Sequence, residues 1–305
     1  MRRSQRLFLC IVSICFFSIL LSGQAPASGN ASPNQALSLA QQGRCRDALP
    51  LLKKSAPQDK QLKYKTLMAT ARCAMALEQT ETAVQALLRL NHEFPHDPDV
   101  LYTSTHFYSQ LAAQASQELA ATAPSAPQTQ QLEAEAFESQ GNWDAALAQY
   151  QKILAQYPKV PSIHYRIGRI YLSKTPPQAE QAKAEFAEEL KIDPRNASAE
   201  FMLGEVARQA GQWQEAIPHF SRAAELDESF QEAYLALGMS LNSAGKFADA
   251  ISPLRRYVKM QPEDPAGHYQ LATAYARTGS KEDARREYAL QQEAAAKAPR
   301  EAPPR

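Results

Sequence analysis

The sequence predicts an all-α solenoid of stacked helical hairpins, and three observations support this fold class. Residues 231–241 read Gln-Glu-Ala-Tyr-Leu-Ala-Leu-Gly-Met-Ser-Leu and return, in degraded form, 34 residues earlier at 197–207. A short polar phrase that begins with glycine recurs along the chain, and a proline or an acidic residue ends successive repeats. This period is typical of two-helix units that bury their apolar stripes only by stacking on neighbours.

The glycine phrase marks the turn inside each hairpin. Glycine tolerates the backbone conformation that closes a first helix, and the acidic residue that often follows it suits the positive end of the second helix. The phrase occurs at 43–48, 141–146, 211–216, 245–250 and 279–284. Each occurrence therefore predicts one hairpin.

The ends of the repeats are equally regular, because proline cannot continue a helix interior. They lie at Phe94-Pro95, Ala123-Pro124, Tyr157-Pro158, Asp193-Pro194, Asp227-Glu228 and Gln261-Pro262. These marks predict eight units beginning near Asn30, Tyr64, Pro98, Pro127, Pro161, Ala197, Gln231 and Pro265. The third unit is about five residues shorter than the period, so Thr105 to Pro124 is expected to hold most of two helices.

Apolar residues in one unit follow helical spacing on both predicted helices, at Tyr234, Leu237, Gly238, Leu241, Ala250, Leu254 and Tyr257. With the Leu-Gly pair, the alanine and aromatic of the second helix and the closing proline, the chain resembles the tetratricopeptide repeat family. The resemblance implies a right-handed superhelical solenoid of about eight hairpins, here over residues 35–293. It also implies a concave wall, lined by the first helices, that binds a protein or peptide.

A targeting segment precedes the repeats. Arg2, Arg3 and Arg6 lead into an uncharged stretch from Leu7 to Leu21, and Ala25-Pro26-Ala27 offers a small-x-small cleavage site. The stretch is short for a membrane span, so we interpret 1–27 as a signal peptide and 28–34 as a linker. The protein is then expected to be periplasmic or secreted, without stable membrane insertion. An uncleaved membrane anchor is the alternative, and 294–305 is predicted to be a flexible tail.

The charge balance argues against nucleic acid as a partner. The whole chain has 33 basic and 32 acidic residues, and loss of the three arginines in 1–27 leaves 30 against 32. Phosphate binding needs a concentrated basic stripe, whereas these charges are mixed along the predicted helices.

The sequence contains no pattern typical of catalysis, and we predict neither an enzyme nor a cofactor. It has no nucleophile elbow, phosphate-binding glycine loop or zinc-protease helix. His92 and His96 have the spacing of two metal ligands on a helix, but Phe94-Pro95 interrupts that helix. No metal site is therefore predicted.

Two of the four cysteines, Cys45 and Cys73, lie beyond the signal segment. Cys45 occupies the position at the start of a second helix that Trp143, Trp213 and Phe247 hold in other units. The start of a second helix packs against the following first helix, which carries Cys73, so we predict a disulfide in an oxidising compartment. The chain-entropy model gives it about 3 kcal/mol. Two buried thiols are the alternative.

Equivalent positions on the first helices form rows along the expected concave wall. The fifth residues of successive units are Met68, Tyr102, Gln131, Tyr165, Phe201, Leu235 and Tyr269. The residues four positions further along the same helices include Arg72, His106, Glu135 and Arg169. The candidate partner-binding residues are Tyr102, His106, Tyr165, Arg169, Phe201, Glu205, Arg208, Met239, Asn242, Tyr269 and Arg277. Aromatic side chains beside polar ones offer contact area and hydrogen bonds to a peptide, although packing between helices explains the aromatics equally well.

The sequence thus predicts a non-catalytic exported scaffold or adaptor that binds a partner protein or peptide. The alternative is a non-catalytic accessory subunit of an envelope enzyme that binds peptidoglycan or polysaccharide, because aromatic rows suit sugars as well as peptides.

Overall fold

The computed structural model describes residues 32–297, in which there are fifteen helices and no strand. The predicted signal segment 1–27, residues 28–31 of the predicted linker and residues 298–305 of the predicted tail lie outside the described residues. Among the described residues no helix combines the length and apolar character needed to cross a membrane.

The described helices fall into two compact units, whose boundary lies between Gln114 and Ala115. The first unit contains α1 (Pro33–Gln41), α2 (Cys45–Lys54), α3 (Lys60–Ala76), α4 (Thr80–Glu93) and most of α5 (Pro98–Thr122). Successive helices from α1 to α4 pack on one another, and α1 also contacts α3. Their apolar side chains share one core.

The second unit contains the end of α5 and ten further helices. They are α6 (Pro127–Ser139), α7 (Trp143–Gln156), α8 (Ile163–Ser173), α9 (Ala179–Ile192), α10 (Ala197–Gln209), α11 (Trp213–Leu226), α12 (Gln231–Ser243), α13 (Phe247–Met260), α14 (Pro265–Arg277) and α15 (Lys281–Lys297). Within this unit, successive helices from α6 to α15 pack against one another. α15 continues into the predicted tail as far as Lys297, and Ala294 is buried there.

The helical hairpins of the predicted fold class are confirmed. The turn glycines Gly43, Gly141, Gly211, Gly245 and Gly279 all have positive φ, between 70° and 89°. Cys45, Trp143, Trp213 and Phe247 each begin a second helix, as predicted. In the hairpin α3–α4, Glu78 takes the turn position with φ 56°. This turn has no glycine, and Glu78 adopts the left-handed conformation that glycine has in the other turns.

The third predicted unit differs, because α5 is one continuous helix of 25 residues rather than a hairpin. The predicted boundaries of this unit, at Pro98 and at Ala123-Pro124, agree with the two ends of the helix. Between Thr105 and Thr122, however, there is neither glycine nor proline, and alanine, glutamine and leucine favour an uninterrupted helix. Seven hairpins and one single helix therefore make up the described chain.

Matched side chains set the distance between the two helices of a hairpin. Gly204 on α10 faces Phe220 on α11, and a Cβ atom on this glycine would lie 2.6 Å from the ring. Gly168 faces Phe186 in the same way. Both phenylalanines are fully buried. A small residue on the first helix thus lets a large residue of the second helix pack directly against the backbone.

A buried carboxylate holds the start of α8. Glu189 on α9 is completely buried, and it accepts hydrogen bonds from the backbone N–H groups of Ser162 (2.7 Å) and Tyr165 (3.2 Å). The Asn196 amide donates to the same carboxylate at 3.3 Å. The first amides of a helix have no partner within it and favour a negative charge. Glu189 therefore fixes the helix that carries Tyr165 and Arg169.

Candidate functional site

The eleven predicted partner-binding residues lie on first helices or on α5. Tyr102 and His106 belong to α5 in the first unit. The other nine lie on α8, α10, α12 and α14 of the second unit. The side chains nevertheless differ widely in exposure and in the partners that they find.

Two of the four predicted aromatics pack against other aromatic rings of the protein. The ring of Tyr165 lies 5.8 Å from that of Phe186, and Phe201 lies 5.4 Å from Phe220 and 4.9 Å from Phe230. Both Tyr165 and Phe201 are half-buried. Tyr165 and Phe201 therefore pack between helices, which was the alternative to ligand binding that the sequence allowed for the aromatic residues.

The other two aromatics are exposed. Tyr102 keeps 67% of its surface accessible and stacks edgewise on His106, with the ring centroids 4.3 Å apart. Tyr269 keeps 51% and lies 6.4 Å from Tyr288. Each offers a ring face or edge to a ligand, but the aromatic row is not continuous along the second unit.

Several predicted polar residues already have partners within the protein. The Arg208 guanidinium donates two hydrogen bonds of 2.8 Å to the Glu205 carboxylate, and this bonding raises the pKa of Arg208. Asn242 is buried and donates to both the backbone carbonyl and the side-chain oxygen of Gln270, each at 3.0 Å. Asn242 thus connects α12 with α14. Its Oδ1 atom has no hydrogen-bond partner among the described residues.

The remaining predicted residues are more accessible. Arg277 is exposed, and its guanidinium carbon lies 4.3 Å from the centre of the Phe247 ring. Met239 is half-buried on α12. Arg169 is exposed beside a cavity of about 280 Å³ between α6 and α8. The neighbouring Arg166 is held there by Glu135 and by Glu138.

The first unit contains an apolar cavity that the predicted residue set missed. It has a volume of about 360 Å³ and lies between α1 and α3. We call it the first-helix cavity and define it by Leu37, Ala40, Met68 and Ala69, with Lys65, Arg72 and Asp99 at its edge. Met68 and Arg72 occupy the same repeat positions as Tyr165 and Arg169, so the rows contained a signal for this site.

The wall of the first-helix cavity is fixed by a hydrogen-bonded tyrosine. Tyr64 donates its hydroxyl to Asp97 at 3.0 Å, and its ring packs edgewise on Phe94 at 5.1 Å. Burial and the bond to Asp97 raise the pKa of Tyr64. Asp97 also accepts from the backbone N–H of Val100 at the start of α5. The tyrosine is thereby held in one position beside the cavity.

Cys45 and Cys73 lie at the same cavity. In the structure their sulfurs are bonded, and their Cα atoms are 4.9 Å apart. Cys45 begins α2, whereas Cys73 is buried in α3, so the bond joins the first hairpin to the second. An oxidising compartment would favour the bond.

Histidines pair with glutamates across three hairpins. The Nδ1 atom lies 2.6 Å from a carboxylate oxygen in His164–Glu185, 2.7 Å in His219–Glu200 and 2.6 Å in His268–Glu287. Each pair connects the two helices of one hairpin, which explains these residues structurally. Residues 32–297 contain no group of three or more His, Cys, Asp or Glu side chains arranged to hold a metal ion.

Comparison with protein families decides the relationship of the chain. A tetratricopeptide repeat family model matches residues 34–98, 178–229 and 235–299, and a second model of the same description matches 127–170. The first model alone covers more than half of the sequence. The chain belongs to the tetratricopeptide repeat family. The tetratricopeptide repeat matches leave out 99–126, which is the interval of the single helix α5.

Solved tetratricopeptide repeat structures share this fold. YrrB, described as a TPR protein with an unusual peptide-binding site, is 24% identical over 60% of this chain and 93% of its own, with a TM-score of 0.52. The MamA protein is 20% identical over 58% and 98%, with a TM-score of 0.51. MamA 41-end from Desulfovibrio magneticus RS-1 is 18% identical over 56% and 95%, with a TM-score of 0.50. No curated protein matches the sequence.

Proposed function

We propose that this tetratricopeptide repeat protein is an exported, non-catalytic interaction protein whose first-helix cavity binds a segment of a partner protein. The cavity is the observation that carries the proposal, because it lies between the first helices α1 and α3 and its lining is mainly apolar. Its volume of about 360 Å³ is enough for one large apolar side chain.

The charges at the edge of the cavity favour an acidic segment. Lys65 and Arg72 both line the cavity, and both side chains are exposed. Neither has a carboxylate within ion-pair distance among the described residues, and Asp99 is the one carboxylate among the lining residues. We propose a partner segment with an apolar anchor next to Asp or Glu, because buried anchors provide affinity and complementary charges provide orientation.

A peptide suits this arrangement better than a glycan. Sugar binding along the first helices would need several exposed aromatic faces in a row, and Tyr165 and Phe201 are packed within their hairpins. Export is part of the proposal and is supported by the basic and then apolar character of residues 1–27. N-terminal sequencing of the protein from its native source tests it, since a start near Ser28 supports cleavage and a retained Met1 contradicts it.

Selection from a random peptide library, followed by titration of synthetic peptides, tests the binding site. We expect selected sequences to carry an apolar residue beside an acidic one. Ala69→Trp fills the cavity and should weaken their binding by about tenfold or more. Gln61→Trp is the matched control, because Gln61 is exposed on the same helix and does not line the cavity.

The proposed binding site is wrong if the selected peptides bind Ala69→Trp as tightly as the parent protein. Circular dichroism of both tryptophan variants checks that each keeps the helical content of the parent protein. Arg72→Gln and Lys65→Gln then test the acidic preference, since each should weaken acidic peptides and leave peptides with the acid replaced by an amide unaffected.

A further inference from the structure

A second cavity of the first unit lies where a helix ends early. The second helices α4, α7, α9, α11 and α13 each have 14 residues, whereas α2 has ten. After Lys54, the segment 55–59 leaves the helical path and contains Pro57, which cannot continue a helix. Ser55 closes the helix by donating its hydroxyl to the Leu51 carbonyl at 2.8 Å.

The shortened helix leaves a cavity of about 360 Å³ against α3 and α4. We call it the second-helix cavity and define it by Lys53, Lys63, Thr66, Thr70, Thr82 and Arg89. It shares no residue with the first-helix cavity. The site is therefore independent of the proposed peptide-binding surface.

The floor of the second-helix cavity is polar at a position that is apolar in four of the five later hairpins. Thr70 is buried, and its equivalents on α8, α10, α12 and α14 are Ile167, Leu203, Leu237 and Leu271, whereas α6 carries Glu133 there. The hydroxyl of Thr70 donates to the Thr66 carbonyl at 2.7 Å, and that of Thr66 donates to the Leu62 carbonyl at 2.8 Å. Both hydroxyl protons are thus in use, and the oxygens remain as acceptors.

The rim of this cavity is basic. Lys63 is paired with Glu93 at 2.7 Å. Lys53 donates to the Thr82 hydroxyl at 3.3 Å, and neither Lys53 nor Arg89 has a carboxylate within ion-pair distance among residues 32–297. Because Thr82 accepts from Lys53, its own proton is free to donate. The rim therefore offers two uncompensated cations and a hydroxyl donor.

From this arrangement we infer that the second-helix cavity binds an anionic sugar, that is, a sugar ring that carries a phosphate or a carboxylate. The anionic group lies at Lys53 and Arg89, and the ring hydroxyls donate to the threonine oxygens of the floor. A cavity of about 360 Å³ accommodates one such ring. A neutral sugar lacks the charge, and inorganic phosphate lacks the ring whose hydroxyls would reach the floor from the rim.

Titration of the full chain with four probes, followed by NMR or calorimetry, tests the inference. Glucose 6-phosphate and glucuronic acid represent sugars that carry a phosphate and a carboxylate. Glucose represents the sugar ring alone, and inorganic phosphate represents the anionic group alone. We expect one of the anionic sugars to bind at least about tenfold more tightly than either glucose or inorganic phosphate, and the better of the two anionic sugars identifies the anionic group.

Three variants locate the binding. Arg89→Gln should weaken the better probe by about tenfold or more, whereas Lys65→Gln, which removes a cation at the other cavity of the same unit, should change it by less than about twofold. Thr70→Ile introduces the residue present at the equivalent place on α8 and should abolish binding while the protein stays folded.

The inference is overturned if neither anionic sugar binds, if glucose or phosphate alone binds equally well, or if Thr70→Ile and Arg89→Gln bind like the parent. Peptide binding in the first-helix cavity is measured on the same variants. Because the two cavities share no residue, loss of sugar binding with intact peptide binding separates this inference from the proposed function.

Discussion

The first hairpin and the hairpins of the second unit solve the same packing problem differently. In the second unit, second helices of 14 to 17 residues cover the first helices, and matched pairs such as Gly204 and Phe220 fill the space between them. In the first hairpin, α2 stops after ten residues and a disulfide joins it to α3. Both of the cavities that we assign to ligands adjoin this irregular hairpin. In the first hairpin, the early end of α2 leaves the space of the second-helix cavity.

Removal of the disulfide should have the largest effect on this difference. We expect Cys45→Ala with Cys73→Ala to lower the free energy of unfolding of the first unit by about 3 kcal/mol, because the bond closes a long loop in the unfolded chain. Both tryptophans, Trp143 and Trp213, lie in the second unit. Denaturation followed by circular dichroism should therefore show the loss, whereas tryptophan fluorescence should not.

Two measurements make this prediction sharper. Mass spectrometry of peptides from the unreduced native protein shows whether Cys45 and Cys73 are linked. A reducing agent should move the circular dichroism transition of the parent protein to lower denaturant and leave that of the double variant unchanged. If the fluorescence transition moves as much as the circular dichroism transition, the bond stabilises both units and the contrast between them is wrong.

Overpacking inside a regular hairpin should have the next largest effect. Gly204→Ala places a Cβ atom 2.6 Å from the buried Phe220 ring, so we expect a loss of about 1 to 3 kcal/mol. Here the tryptophan fluorescence transition is the one that should move. The double variant with Phe220→Leu should recover part of the loss, and a single variant that melts like the parent would show that the ring has room to shift.

A buried tyrosine should give the smallest effect, with a distinct dependence on pH. Tyr150 is completely buried, burial raises its pKa, and its hydroxyl has no hydrogen-bond partner among the described residues. Below about pH 10, Tyr150→Phe should be as stable as the parent or up to about 1 kcal/mol more stable.

Above about pH 10, the unfolded parent chain loses the tyrosine proton before the native state does, so its stability falls as the pH rises. Tyr150→Phe lacks this contribution, and the two stabilities should diverge in alkaline denaturation curves. Tyr257→Phe is the contrasting variant, because Tyr257 donates a hydrogen bond to Asp264 and its removal should destabilise the protein near neutral pH. Parallel curves for the parent and Tyr150→Phe would contradict the prediction.

The fold could be predicted from the sequence because the residues that start and end its helices act locally. A glycine turn or a closing proline acts within a few residues, and the predicted starts at Pro98, Pro127, Ala197, Gln231 and Pro265 agree with the helices. The prediction was wrong for the third unit, where the length of one repeat was taken to require a turn. Without glycine or proline between Thr105 and Thr122, helix propensity alone decided the outcome.

The site was harder to predict because its side chains depend on neighbours distant in sequence. The rows placed Tyr165 and Asn242 on the correct helices, but not the contacts to Phe186 and Gln270 that engage them. The second-helix cavity depends on where α2 ends, and Pro57 is the local signal for that end. Exposure depends on the second helices and on neighbouring side chains, whereas the rows compare positions on the first helices alone.

The pairing of a first-helix glycine with a large residue on the second helix also constrains how such a chain evolves. Gly168 with Phe186 and Gly204 with Phe220 are complementary within a hairpin. A recombination event between hairpins transfers both members together and preserves the fit. A crossover at the turn glycine would instead join a first helix to a second helix from another lineage. Duplication of whole hairpins is therefore the tolerated route to a longer chain, and the two positions are expected to change together.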